Sequence, residues 1–419
     1  MGMTIAEKIL ARASGREIVK PDEYVTARVD KMLAGEKYML FHYLSEVGLD
    51  RVWDPERIVV LTDHRVPAHS SASAAEDVEL RRAVKKFGIK YWYDVGRGGI
   101  CHQVFVEKGH ALPGMLITGQ DSHTTTYGAL NAASTCVDLP ESVLVAAKGE
   151  TWFRVPETIL YTIEGVLQEK VMSKDIVLRI AGDRGCDFAL YKSIEYKGST
   201  VEALSIAARM TMSNMSVDLG AKFAIFDADE KTLDYVRPLA REPFTPVEDD
   251  QDAVYENMYH LDGGALTPMV ACPHNISNVR PAEELEKERI RIDQAFIGSC
   301  TNGRLEDLEM AASILKGNRI HPDVRLIIVP ASMEVYRQAM KNGVLETLVE
   351  SQALICNPTC GPCAGGHIAL LAPSERCISS TNRNFRGRMG SPDSEVYLAS
   401  PATVAASAIA GYIVDPRNS

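Results

Sequence analysis

The stretch Ile292-Asp293-Gln294-Ala295-Phe296-Ile297-Gly298-Ser299-Cys300-Thr301-Asn302-Gly303 decides the fold class. An apolar run of strand length stops on a polar, glycine-bounded loop that carries a thiol. Short apolar runs of this kind read as buried strands of a parallel sheet, and in open α/β sheets ligand-binding residues collect at strand ends. Downstream the texture alternates: a helix over 305–316, a strand over 324–329, a helix near 333–341, and then the paired thiols of Asn357-Pro358-Thr359-Cys360-Gly361-Pro362-Cys363. Strand and helix in alternation imply an α/β protein.

The same pattern recurs toward the N-terminus. Residues 57–62 form an apolar run ending on Asp63-His64; residues 90–95 form another, followed by Gly96-Arg97-Gly98-Gly99 and then His102; residues 115–118 end on Gly119-Gln120-Asp121-Ser122-His123-Thr124. The glycine turn has neither dinucleotide-binding nor Walker spacing, so it is a weak phosphate signal. Three histidines with an aspartate in reach, at the ends of consecutive strands, point to one shared site. Residues 4–12 read as an amphipathic helix, 22–33 as a second, 76–86 as a third and 200–212 as a fourth. Asn214 and Asp218 follow at a spacing of four, so they either face one cleft or serve a helix end. A change of texture near 155 and the charged segment 281–291 divide the chain into 1–155, 156–285 and 286–419, with an exposed loop over 241–252.

Composition narrows the function classes. With 45 basic and 56 acidic residues among 419, the formal charge is −11, which argues against a nucleic-acid surface but not against a local basic pocket for a small anion. Nine cysteines, an odd number with no secretory signal ahead of them, fit reduced thiols in a cytoplasmic protein. No apolar run reaches the roughly 18 residues of a membrane span, and Ala6 breaks the myristoylation pattern.

Cys300, Cys360 and Cys363 are therefore read as ligands of an iron–sulfur cluster with one iron open to chemistry. Zinc is the rival, with Cys356 or Cys377 as a fourth ligand; a thioredoxin-like pair fits less well, because its cysteines open a helix early in a small domain. Cysteines 101, 136, 186 and 272 read as small apolar residues. An open iron is a Lewis acid for a hydroxyl and a carboxylate, the chemistry of a hydro-lyase. The aspartates orient the imidazoles and support their protonated forms, and Arg383 and Arg388 offer bidentate forks for substrate carboxylates.

Taken together these motifs resemble the aconitase superfamily, most closely the large subunits of its isopropylmalate dehydratase and homoaconitase group. The resemblance runs from Thr4-Ile5-Ala6-Glu7 to Asn382-Arg383-Asn384-Phe385-Arg386-Gly387-Arg388. It implies three α/β/α domains with mostly parallel sheets around a central [4Fe-4S] cluster on Cys300, Cys360 and Cys363. It also implies acid–histidine pairs Asp63 with His64, Asp121 with His102, and Asp218 with His123, with His64 protonating the leaving hydroxyl. Ser122, Asn214, Asn382, Arg383 and Arg388 match substrate-site positions. A swivelling domain with a Gly-Ser-Ser-Arg-Glu motif is missing from the sequence, so the resemblance implies a separate small subunit, in a heterodimer or heterotetramer, that brings the catalytic base. The implied activity is dehydration and rehydration of a hydroxy di- or tricarboxylic acid, with 3-isopropylmalate and leucine biosynthesis first. Homoaconitase and the citraconate, maleate or dimethylmalate hydratases are the alternatives. An iron-responsive RNA-binding protein and a structural zinc protein are the readings from other classes.

Three departures stand out. Asp218 replaces the family's usual glutamate and is one methylene shorter, so its contact to His123 is expected to need a backbone shift or a bridging water. Residues 34–40 lack the usual His-Asp or Gln-Asp where substrate contacts are expected, and residues 131–140 lack the usual glycine-rich run.

Overall fold

The computed structural model describes residues 2–35 and 38–418; Glu36 and Lys37, in the first of the departing segments, lie outside them. Three large sheets carry the architecture. The first is five-stranded and wholly parallel, in the order Tyr91–Tyr93, Ile58–Leu61, Lys31–Ala34, Leu116–Gly119, Ala133–Cys136. The chain starts at the central strand, winds outward to one side and returns to the other, so a topological switch point lies between Lys31–Ala34 and Leu116–Gly119. Alternate residues enter two separate cores. Leu33, Val59, Leu61 and Ile117 lie in one apolar cluster, and Met32, Ala34, Ile58 and Val60 in another. Both faces are thus covered, as a parallel sheet requires.

A seven-stranded sheet repeats the logic. Its order is Val279–Pro281, Met269–Ala271, Glu395–Ala399, Arg376–Ser379, Gln294–Ile297, Arg325–Ile328, Leu354–Ile355, parallel except at the first two pairings. Here the switch point lies between Gln294–Ile297 and Arg376–Ser379. A four-stranded parallel sheet, Phe223–Phe226, Ser193–Lys197, Thr158–Glu164, Asn257–Asp262, stands beside it. The two share one apolar cluster, in which Ile159 and Tyr161 lie with Phe296 and Leu398. The strands Met269–Ala271 and Val279–Pro281 precede residue 285 yet hydrogen-bond into the seven-stranded sheet, so that sheet draws on the chain from 269 onward.

Two helix expectations are corrected. Residues 22–33 are not a helix. Tyr24–Arg28 pairs antiparallel with Glu150–Arg154, its Val25 and Ala27 turned inward and Tyr24, Thr26 and Arg28 outward, and Lys31–Ala34 is the central strand of the first sheet. The short period-two alternation with β-branched residues won over the helical spacing. The expected helix over 200–212 is interrupted: Ser199–Ala203 ends, and Ser205 caps a new helix Ile206–Ser216 by accepting the Ala208 N–H at 3.0 Å. The N-terminal helix, Ile5–Ser14, has a full capping box from Thr4 and Glu7. The 241–252 segment lacks helix or strand but is pinned: Glu242 pairs with Lys31 and Arg57, and Asn131 donates to the Val247 carbonyl at 3.0 Å.

Against the Phe223–Phe226 strand of the four-stranded sheet, Gly128 lies on the backbone of Ala224, and a Cβ there would overlap the Ala224 carbonyl oxygen. Gly128→Ala is expected to destabilise by about 3 kcal/mol, the upper range for overpacking against a part that cannot yield. Gly366→Ala, which meets open space, should leave the thermal midpoint in place. Equal midpoints for the two variants would refute the close approach.

Candidate active site

The strand exits of the five-stranded and seven-stranded sheets face one another. The Cys360 N–H donates to the Asp63 carbonyl at 3.0 Å, and Thr359 Oγ1 donates to the same oxygen at 2.7 Å. The Met333 N–H reaches the Gly98 carbonyl at 3.0 Å. Strand ends of the five-stranded sheet are thereby fixed against the loops that leave the seven-stranded sheet.

Each cysteine comes from a short, tightly held turn. Cys300 lies in Ser299–Asn302, directly after Gln294–Ile297. Arg304, itself buried, holds that turn by donating to the Cys300 carbonyl and the Thr301 carbonyl, both at 2.6 Å. Cys360 caps the 3₁₀ turn Gly361–Ala364, which contains Cys363. Cys300 and Cys360 share an apolar cluster with Ile100 and Ala331. Burial pushes the Cys300 thiol up to about 12. It also raises Cys360 well above its ordinary value, with Asp63 adding to the effect. Two amides reach these sulfurs: Asn214 Nδ2 lies 3.2 Å from Cys300 Sγ, and Asn382 spans Cys300 Sγ (Nδ2, 3.6 Å) and Cys363 Sγ (Oδ1, 3.5 Å). Arg388 Nη2 stands 3.9 Å from Cys363 Sγ.

The donor set fits a cluster better than one zinc ion. Thiolates around a tetrahedral zinc lie about 3.8 Å apart. Among the described residues the one group of three potential ligands within 4.8 Å of one another is Asp63, His64 and Cys360, so the three sulfurs are spread more widely than one zinc would hold them. Neither fourth-ligand candidate joins them: Cys377 is fully buried in the Arg376–Ser379 strand, and Cys356 packs against the core beneath.

The acid–histidine residues form one continuous string. Asp63 Oδ1 lies 2.6 Å from His64 Nδ1, while Oδ2 accepts the Cys101 N–H at 2.8 Å. Asp121 bridges two imidazoles, His102 Nε2 at 2.8 Å and His64 Nε2 at 3.3 Å. Tyr127 closes the inner end, 3.1 Å from His102 Nδ1. His123 Nε2 lies 3.1 Å from Asp218 Oδ2, a direct contact; the shorter side chain needs no bridging water. Arg383 Nε donates to Asp218 Oδ1 at 2.6 Å, and its Nη1 to Ser122 Oγ at 3.1 Å. Asn214 is thus aimed at Cys300, and Asp218 at His123 and Arg383.

Burial alone would raise all three carboxyls, but their partners win. His64 and the Cys101 N–H hold Asp63 below its usual range; His102, His123 and His64 hold Asp121 well below it; His123 and Arg383 hold Asp218 below it. His64 is raised well above the ordinary histidine value, by the Cys360 sulfur in the state where that thiol has lost its proton and by Asp63. His123 is raised to about 9: burial opposes the proton, and Asp218 and Asp121 outweigh it.

A cavity of about 670 Å³ opens beside this string, lined by Asp63, His64, Gln120 and Asp121, by Tyr38, Met39, Val137 and Leu139, and by the charged Arg65, Glu76 and Asp138. It sits at the first sheet's switch point, where ligands of doubly wound sheets bind.

Sequence reasoning missed three supports. Tyr127 and Arg304 carried no motif. Lys174, at the start of Ser173–Arg184, is fully buried and donates to the Ser380 carbonyl at 2.6 Å and to the Thr381 carbonyl, fixing the backbone just before Asn382 and Arg383. A lysine is ordinarily exposed, so nothing in the sequence set this one apart.

Comparison with known proteins agrees with this geometry. The family model described as "Aconitase family (aconitate hydratase)" matches residues 20–411. The chain is 51% identical to the 3-isopropylmalate dehydratase large subunit 1 of Methanopyrus kandleri, covering 100% of this chain and 99% of that protein. It is 48% identical to the 3-isopropylmalate dehydratase large subunit 1 of Pyrococcus furiosus, covering 99% of each. Among solved structures, the holo form of Thermococcus kodakaraensis aconitase X shares the fold at a TM-score of 0.51 and 14% identity, over 90% of this chain and 88% of that one. With a family model across most of its length and relatives near half identity from end to end, the chain belongs to the aconitase family.

Proposed function

We propose that the chain is the large, cluster-bearing subunit of a hydro-lyase of the 3-isopropylmalate dehydratase kind. It acts in leucine biosynthesis in the cytoplasm with a separate small subunit. The observation that carries this reading is the meeting of three buried cysteines, the acid–histidine string and the Asn382–Arg383 loop in one cleft, in a chain near half identical to proteins of that name. Nine free cysteines suit a reducing compartment. No helix among the described residues is long and apolar enough to cross a membrane.

Cys300, Cys360 and Cys363 would hold a [4Fe-4S] cluster, which when bound supplies an iron without a protein ligand, a Lewis acid for substrate oxygens. The chain's own residues do the rest of its share. His64, held between Asp63 and Asp121, is poised as an imidazolium to hand its Nε2 proton toward the departing hydroxyl. Arg383 is oriented by Asp218 and Ser122, which leaves its remaining donor edge for a carboxylate, and Arg388 offers a second fork beside Cys363. The small subunit supplies the base and closes the cleft.

The test is anaerobic purification of the chain with and without its small subunit, followed by iron and sulfide analysis and an assay on 3-isopropylmalate. The pair should be brown and active, the chain alone brown and nearly inactive. A colourless chain with one bound zinc would falsify the cluster, and full turnover by the chain alone would remove the need for a partner. Cys360→Ser should abolish the visible absorption, whereas Cys356→Ser, which alters a residue packed on the core, should keep it; loss in both would refute the ligand assignment.

The histidines also give a pH signature. A histidine raised from 6.5 to about 9 on folding adds stability that is complete below about 6.5 and disappears as pH rises through 9. The depressed carboxyls of Asp121 and Asp218 contribute above about 3.8 and lose their contribution as pH falls through their lower folded values. The melting difference between wild type and His123→Gln should therefore be widest near pH 6 and shrink by pH 10. A gap that stays constant over that range would rule out the charged His123–Asp218 pair.

A further inference from the structure

The cavity beside His64 has two chemically different sides. One holds Asp63, His64, Asp121 and Gln120. The other is built where the Met39–Glu46 helix begins and where the chain turns from Ala133–Cys136 into the Leu139–Lys148 helix, and it presents Tyr38, Met39, Val137 and Leu139. These are the two segments whose sequences depart from the family pattern. They lie far apart along the chain and meet on one wall.

That wall is firm. Val137 is buried, and Tyr38 and Leu139 pack against the apolar cluster that contains Leu40, Phe41 and Val145. Charged groups near it are committed elsewhere: Arg65 is paired with Glu76, and the Asp138 carboxylate accepts the Glu141 N–H at 2.8 Å as a helix cap. A substrate carboxylate laid against Val137 and Leu139 would lose water beside the Asp138 carboxylate, and the one arginine that lines the cavity among the described residues, Arg65, is already paired with Glu76. An alkyl group would lose nothing there and would bury its surface.

We propose that Tyr38, Met39, Val137 and Leu139 read the carbon substituent of the substrate and select an aliphatic group over a carboxyalkyl arm. The substrate is then an alkyl-substituted hydroxy dicarboxylate and not a tricarboxylate. This rests on the hydro-lyase reading above, and it adds which residues of this chain set the choice.

The experiment uses the reconstituted enzyme with its small subunit. Initial rates are measured on hydroxy dicarboxylates bearing a methyl or an isopropyl substituent and on tricarboxylates of matched length, for wild type, Leu139→Ala, Met39→Ala and Leu139→Arg. Cluster content and circular dichroism show which variants are folded. Wild type should favour the alkyl substrates in kcat/KM by about 100-fold, the scale on which a pocket distinguishes such groups. Each alanine variant should raise KM for the isopropyl substrate about 10-fold, well beyond its effect on the methyl substrate and with little change in kcat, because removed methylenes weaken binding and not chemistry. Leu139→Arg should narrow or reverse the preference against tricarboxylates. Two alanine variants keep the test open if one misfolds.

Outcomes separate the two claims. A wild type that holds its cluster and partner yet turns over no member of the panel overturns the hydro-lyase reading and the wall with it. A wild type that is active but prefers tricarboxylates, or whose alkyl preference is the same in all folded variants, overturns the wall alone.

Discussion

The main-chain carbonyl of Asp63 is the joint on which the site depends. It accepts from the Cys360 N–H and from the Thr359 hydroxyl, while its own side chain carries His64 and caps the first turn of the Cys101–Glu107 helix. One residue at a strand end thus sets the distance between a histidine and a cysteine that lie nearly three hundred positions apart. The contact works because both partners lie just beyond the C-terminal ends of parallel strands, Ile58–Leu61 and Leu354–Ile355. There the chain must leave the sheet, and backbone groups are free to bond outside it.

Around this joint the protein concentrates buried charge. Three aspartates alternate with three histidines and an arginine, and each carboxylate has a partner on more than one side. Isolated, these carboxyls would neutralise in the interior; their imidazole, guanidinium and backbone N–H partners keep them charged. Asp121 matters most, because it touches His102 and His64 with different oxygens. Losing it would take a partner from two imidazoles at once, leaving His64 with Asp63 and His102 with Tyr127.

Much of this was legible in the sequence, for physical reasons. Buried parallel strands are short apolar runs, so 57–62, 115–118 and 292–297 announced both a sheet and the polar residues at its exits. The central strand Lys31–Ala34 was hidden because it follows Tyr24–Arg28 so closely that the two together mimic a helical period. The three pairs could be named from family resemblance, but not the string. That Asp121 serves two histidines, and that Asp218 reaches His123 despite its shorter side chain, depends on how sheets are placed against each other, which no local pattern encodes. Lys174 was unreadable for the opposite reason: its whole role is to satisfy two carbonyls, and a buried ammonium has no signature beyond the letter itself.

The surroundings of the cysteines finish the argument. Burial among Ile100 and Ala331 disfavours a bare thiolate, as the raised Cys300 and Cys360 show. A site that merely stored thiols would need no donors. Here Asn214 and Asn382 both direct amide N–H groups at Cys300, and an arginine stands beside Cys363. Such donors stabilise sulfur far more when it carries negative charge than as a neutral thiol. The pocket therefore combines an apolar wall that excludes water with a few fixed dipoles, an arrangement that favours thiolates once a metal has taken their protons and neutral thiols until then.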